Sequence, residues 1–331
     1  MRAYNKFAYQ HVRVSAHFDP PAPDVATFRR SHVAPSGPVS PARGTLTPMP
    51  PRTVTTARQR RLGAELRRLR EAAGHNSREA AALLGVDHTK VSHMETARFG
   101  VSGDRIRALA CVYGCDDQAH IEALIKIAED RTKGWWLDYS ETLPVDFLDL
   151  AELEHHARGM RTYQIAHIPG LLQTEDHINA IFAETDPPLL GSDLEHRIQH
   201  RLRRQTVLEK EWPPQYEAVI HEAALRMRFG GTKVARAQLD HLLAMGERAH
   251  ISIQVIPFSA GGFAGSGQSI FYAQGDVTQL DTVQLDASHG ISLLDSPAQL
   301  RNYRKLLDRM KAKALPVEKS RDFIHAIASE L

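Results

Sequence analysis

Cysteine is nearly absent, with only Cys111 and Cys115 in 331 residues. That excludes a disulfide framework and fits a reducing cytoplasm. Gly114 lies between them and is placed to end their helix, and no further His or Cys pair follows at ligand spacing. The two therefore read as small buried hydrophobes rather than half of a metal or redox site. Long apolar runs are also missing: none reaches 18 residues, so no membrane span and no membrane partner are expected. The basic N-terminus lacks the apolar stretch of a secretory signal. A net charge of one sign is lacking too, with 41 Lys and Arg against 39 Asp and Glu.

That near-balance hides a division. Residues 52–115 hold 12 Lys and Arg against 6 Asp and Glu, whereas residues 116–331 hold 23 against 31. A small basic unit on an acidic body points to one part that meets a polyanion and another that does not. Residues 1–51 carry nine of the 18 prolines, few large aliphatics and no periodicity, the composition of a disordered extension. A chain starting at Met49 (MPPRTVTTARQRRLG) would lead straight into the first helix, so Met49 is a candidate natural start.

From Thr56 onward the pattern becomes helical. Leu62, Leu66, Leu69 and Ala73 recur at helix spacing among Arg60, Arg61, Arg67, Arg68 and Arg70, and Gly74 suits the C-terminal cap. Asn76 followed by Glu79 has the form of a capping box, opening a second helix with Ala80, Ala81, Leu83 and Leu84 inward. Gly85 permits a tight turn, and Asp87 is placed to cap a third helix reaching Glu95. A fourth begins near Ser102 with Ile106, Leu109, Ala110 and Tyr113 as its apolar positions. A fifth spans about Asp117 to Lys133.

The second and third helices, joined through Gly85-Val86-Asp87, match the helix-turn-helix design, whose second helix enters the major groove. In GVDHTKVSHME (85–95), Val91 and Met94 seat the helix, leaving His88, Thr89, Lys90 and His93 to face base edges. Ser77, Arg78 and Arg98, with Arg60 and Arg61 of the first helix, are the candidate phosphate contacts. A helix of this size touches few base pairs, so a homodimer on double-stranded DNA with two half-sites is expected.

The segment GHNSREAAALLGVDHTKVSHMETARFGVS resembles the phage-repressor-like, Xre-type family, with Lys90-Val91-Ser92 and Met94-Glu95 matching its K-[IV]-S-x-[IM]-E pattern. Beyond it, GWW (134–136), HIPGLLQTEDHINA (167–180) and VIPFSAGG (255–262) resemble an actinobacterial regulator family that joins the Xre-type domain to a conserved C-terminal region, DUF5753. The resemblance implies an antitoxin-like transcriptional regulator accompanied by a small neighbour-encoded partner protein. It also marks departures. Ser77 stands where many Xre-type domains carry Gln, His93 where Arg is common, and Ala97 where Gly often ends the recognition helix.

After Trp135 and Trp136 the pattern is mixed. Strand-like runs occur at 161–168, 216–220, 251–258 and 269–273, with weaker ones near 281–285 and 290–294. Helical patterns fall at 174–184, 192–210, 232–249, 297–313 and 317–330. The fold class is a mainly α, five-helix helix-turn-helix domain (52–133) followed by an α+β domain (134–331). Several chemical candidates weigh less than their plain readings. HEAAL (221–225) lacks the second His of a zincin helix, and His155-His156 reads as exposed helix. SAGGFAGSG (259–267) reads as a flexible hairpin loop, the tryptophan pair as a hydrophobic domain hinge, and 197–210 as an amphipathic helix with a solvated basic side. No enzyme, cofactor or metal is expected. The function expected is a cytoplasmic, sequence-specific transcriptional regulator. A small-molecule-sensing regulator is the first alternative, and a cryptic enzyme domain tethered to a DNA-binding module is the second.

Overall fold

Each of the first five helices starts on a side chain that accepts from its first turn. In the computed structural model, which describes residues 55–287 and 290–331, Thr56 opens α1 (Ala57–Ala72) and Asn76 opens α2 (Ser77–Leu83). Asp87, Ser102 and Asp117 do the same for α3 (His88–Glu95), α4 (Gly103–Val112) and α5 (Gln118–Glu129). Such a cap contributes about 1 kcal/mol by satisfying an otherwise orphaned backbone N–H, and five in 62 positions fix where the short helices begin. Thr56 with Gln59, and Asn76 with Glu79, form reciprocal capping boxes. Residues 1–51 and the proposed start at Met49 lie outside the described residues.

Leu62, Leu66, Ala80, Ala81, Val91, Ile106, Leu109 and Leu124 close one core between these helices. Leu83, expected inward, is 58% exposed, because α2 has only seven residues and turns its inner face through Ala80 and Ala81. Cys111 is exposed and Cys115 half-buried, so the cysteines are free thiols but not both core residues.

The connector then packs onto the second part of the chain. Trp136 is buried against Leu148 and Ala151 of α6 (Val145–His156), while Trp135 meets Tyr139 at 6.0 Å. His155 and His156 are half-buried against Trp136, with centroids 5.0 and 5.8 Å away, where exposure was expected. The tryptophan pair thus clamps the connector to α6.

The remaining elements are β1 (Gly159–Gln164), α7 (Glu175–Ala183), α8 (Gly191–Gln205), β2 (Gln215–His221), α9 (Glu222–Arg226), α10 (Gly231–Met245), β3 (Ile251–Ile256), β4 (Ile270–Gln274), β5 (Thr282–Ala287), β6 (Gly290–Leu294), α11 (Pro297–Lys313) and α12 (Val317–Glu330). The sheet order is β3-β2-β1-β4-β5-β6, parallel between β1, β2 and β3 and antiparallel onward. Strand alternation divides β2: Tyr216, Ala218 and Ile220 face a core shared with α10 and α12, while Val219 faces Leu300, Leu307 and Met310 of α11. The class is α+β, as expected. The glycine-rich loop is not a hairpin, because β2 and β1 lie between β3 and β4. It crosses the sheet, and Gly265 passes so close to α11 that a Cβ there would stand 2.5 Å from the Met310 methyl.

The basic side of 197–210 is solvated only in part, at Arg203. Arg204 of α8 is buried and forms a two-pronged pair with Glu154, at 2.7 and 2.6 Å. In HEAAL, His221 Nδ1 accepts from the Ala223 N–H and caps α9.

The two parts meet directly, around a cavity of about 300 Å³ lined by α1, α6 and the β4–β6 side of the sheet. Leu280, between β4 and β5, is buried in the core of the first five helices. Arg61 pairs with Asp295 at 2.9 Å and donates to the Asp295 carbonyl at 3.0 Å, and also to that of Gln279. Lys126 pairs with Asp276 at 3.0 Å, and Gln279 donates to Asp117 at 2.8 Å.

Candidate nucleic-acid interface

A recognition helix must be held hard on one side so that the other can meet a ligand without shifting. Val91, 1% exposed, is the buried centre of α3, and Met94 packs beside it. At the C-terminal end Glu95 receives Arg70 of α1 in a two-pronged pair, Nε to Oε1 at 2.6 Å and Nη2 to Oε2 at 2.9 Å, both side chains nearly buried. Arg70 also donates to the His75 carbonyl at 2.7 Å, so one guanidinium joins α1, the turn before α2 and the end of α3. The Glu95 hydrogen bond raises the Arg70 pKa against the opposing effect of burial.

Gly63 completes the lock. A Cβ at this position would overlap the Glu95 carbonyl and come within 3.0 Å of that of Met94. Backbone, unlike a flexible side chain, cannot swing aside. Gly63→Ala is therefore expected to push α3 from α1, at the 1–3 kcal/mol typical of overpacking. Melting temperature and DNA affinity should fall together. An unchanged melting temperature would show that α1 and α3 are not in contact in solution.

At the N-terminal end Asp87 accepts from the Thr89 N–H at 2.8 Å and from the Thr89 hydroxyl. Those bonds, the hydroxyl's first, hold the Asp87 carboxyl below its ordinary range. Gly85 supplies the turn between the helices with φ +63°. At the far end Ala97 adopts φ +58° and is buried, taking the left-handed position that glycine occupies more cheaply.

On the free side His88, Thr89 and Lys90 are exposed, and so is Ser92, which was not among the expected contacts. Its one-turn spacing from His88 and Thr89 was the available signal. His93 is half-buried, its ring 4.9 Å from Phe99. Arg78 and Arg98 are exposed close to the two helix ends, with Ser77 half-buried at the start of α2. Arg60 and Arg61 do not join this surface. Arg60 pairs with Asp149, and Arg61 is buried on Glu65 and Asp295, where burial lowers its pKa to about 10. Their charge is spent on the body because α1 begins there: Asp149 and Glu152 of α6 accept the N–H groups of Ala57 and Arg58 at 2.8 and 3.0 Å.

Comparison with known families agrees with this geometry. Residues 61–124 match the model described as a helix-turn-helix domain, the whole of the α2–α3 unit included. Residues 147–326, more than half the chain, match the model described as a domain of unknown function, DUF5753. The chain belongs to the DUF5753 family. No curated protein and no solved structure matches it. The helix-turn-helix domain ahead of the DUF5753 region supports a DNA-binding regulator. No helix among the described residues is long and apolar enough to cross a membrane. Among the same residues no group of three or more His, Cys, Asp or Glu is placed to hold a metal ion.

Proposed function

We propose that this DUF5753 protein is a cytoplasmic, sequence-specific transcriptional regulator, not an enzyme, that binds its operator as a homodimer. The carrying observation is α3 itself. It is locked by Val91, Met94 and Glu95 on one side and presents exposed His88, Thr89, Lys90 and Ser92 on the other. Base contacts fall to those residues with His93, and phosphate contacts to Ser77, Arg78 and Arg98. In this reading the body supplies the dimer contact and binds a small neighbour-encoded partner protein, in the antitoxin-like manner implied by the resemblance. Trp212, 85% exposed on the body, is of the residue type enriched in binding hot spots.

Lys90→Ala should weaken binding to the DNA upstream of the gene by about tenfold or more, from the loss of roughly 1–3 kcal/mol, with an unchanged melting curve. Gel-shift titration at fixed salt measures this, and equal affinity for both proteins removes Lys90 from the groove. Wild-type affinity should also fall by roughly 10³–10⁵ from 50 to 200 mM salt if six to ten phosphates are neutralised per dimer. A flat salt response is incompatible with DNA as the ligand. The partner reading is checked by co-expression with the neighbouring small protein, which should elute with the regulator.

A further inference from the structure

Buried sheet faces are normally lined with Val and Ile, but one face here is not. Thr162 of β1 stands opposite Phe271 of β4, which stands opposite Gln284 of β5. Thr162 and Gln284 are nearly buried, and Gln164 follows on the same face of β1. The row forms the floor of a cavity of about 410 Å³, within the usual range for small-molecule sites. Phe147, Leu150, Ile168, Ile181, Phe271 and Ile291 supply apolar walls. Gln284 donates to Asp286 at 3.0 Å, but its Oε1 has no partner. A buried polar atom left in this way costs about 1–3 kcal/mol.

One cation in this cavity also lacks a salt-bridge partner among the described residues. Arg201 of α8 lies over the Phe182 ring at 4.5 Å and donates to Gln173 Oε1 at 3.1 Å. Among the described residues no carboxylate lies within ion-pair distance of it, since Glu154 is taken by Arg204 and Asp286 holds Gln284. Burial first and then Arg204 lower the Arg201 pKa to about 10, with Glu154 and Asp286 opposing from a distance.

The remaining charges define the anion. Asp146, Glu154 and Asp286 also line the cavity, against Arg201 and Arg204. A phosphate dianion would meet three carboxylates with a single uncommitted cation, whereas one guanidinium fork matches one carboxylate. The wall suits an apolar body, and Gln284 Oε1 takes an N–H or O–H. The cavity is also connected to the DNA-binding part. Asp146, Phe147, Leu150 and Glu154 of α6 line it, while Asp149 and Glu152 of the same helix hold the first N–H groups of α1.

We propose that this cavity is a receptor site for a small monocarboxylate with an apolar body, and that α6 relays its occupancy to α1. The relay gains regulatory meaning from the DNA-binding reading, but binding does not depend on it. The test uses the full chain with a panel of monocarboxylates, indole-3-acetate and 4-phenylbutyrate among them, each beside its primary amide. Thermal shift and calorimetry should show binding of a carboxylate but not of its amide, about tenfold or more weaker in Arg201→Gln. In wild type, phenylglyoxal labelling of Arg201, read by peptide mass spectrometry, should slow with the carboxylate bound, which keeps the test valid if the variant misfolds. No carboxylate binding, equal amide binding, or unchanged Arg201 labelling overturns the site. Hydrogen exchange at residues 57–60 should change on binding, and an unchanged rate overturns the relay. Because exchange is read without DNA, it stands apart from any failure of operator binding.

Discussion

Moving the protein from pH 7 to pH 5 is expected to remove much of its stability. His200 is fully buried beside Trp135, Tyr139 and Phe147, with neither ring nitrogen partnered. Burial first, then Arg204, Arg201 and Arg203, push its pKa to about 3. His177, likewise buried and unpartnered, is lowered to about 4 by burial and then by His167 and Arg201. His156 is lowered to about 3 by burial and then by Arg58.

All three are neutral in the folded chain, whereas the unfolded chain protonates them near pH 6.5. The unfolded state thus binds more protons below pH 6.5, and stability falls as pH falls, while above it the three are indifferent. Each contributes a slope of roughly 1.4 kcal/mol per pH unit, or about 2 kcal/mol each by pH 5. Three such losses are comparable with the 5–15 kcal/mol stability of a typical domain. Glu152, raised by burial, works in the opposite sense. Urea midpoints between pH 7.5 and 5 measure the effect. His200→Leu should flatten part of the decline, and a midpoint independent of pH refutes the assignment.

The largest single-residue loss near the DNA surface is expected from Glu95→Ala. Removing one partner of a nearly buried ion pair strands the other, which typically costs 3–5 kcal/mol. Here the stranded group is Arg70 of α1, left with the His75 carbonyl and, at 3.6 Å, the exposed Glu71 already held by Arg67. Since Glu95 is the last residue of α3, DNA binding should fall even at temperatures where the variant stays folded. The double variant Arg70→Met, Glu95→Leu should recover most of the stability, because two apolar groups replace two desolvated charges. Chemical denaturation of the three variants tests both statements. A loss below 1 kcal/mol in Glu95→Ala would mean that the pair is open to water.

These two sites show what can be read from residue order. The caps at Asn76, Asp87 and Ser102 and the turn at Gly85 act within a few residues, so their roles were legible. So were all six strands, because alternation and β-branched content are local. The fates of Arg60, Arg61 and Arg204 were not. An arginine at helix spacing looks the same whether it meets solvent, phosphate or a carboxylate 50 to 234 positions away. Only the end of α6, at His155-His156, read as helix, and its extent and burial did not, because it is apolar on more than one side. One side packs on the tryptophans and α1, and another lines the cavity, so no single stripe appears in VDFLDLAELEHH. The sheet order was hidden for a similar reason: nothing in 257–269 says that the chain steps over two strands before pairing again.

The insertion of Leu280 into the helical core bears on how such proteins exchange parts. A reading head transplanted from a relative would carry its own notch and its own first-helix arginine, but meet the old Leu280, Gln279 and Asp295. A mismatch there leaves either a void or a stranded guanidinium. Chimeras that swap residues 55–133 should therefore work best when positions 279, 280 and 295 travel with them. The unit to transplant is the five-helix segment together with two short stretches of the distant body.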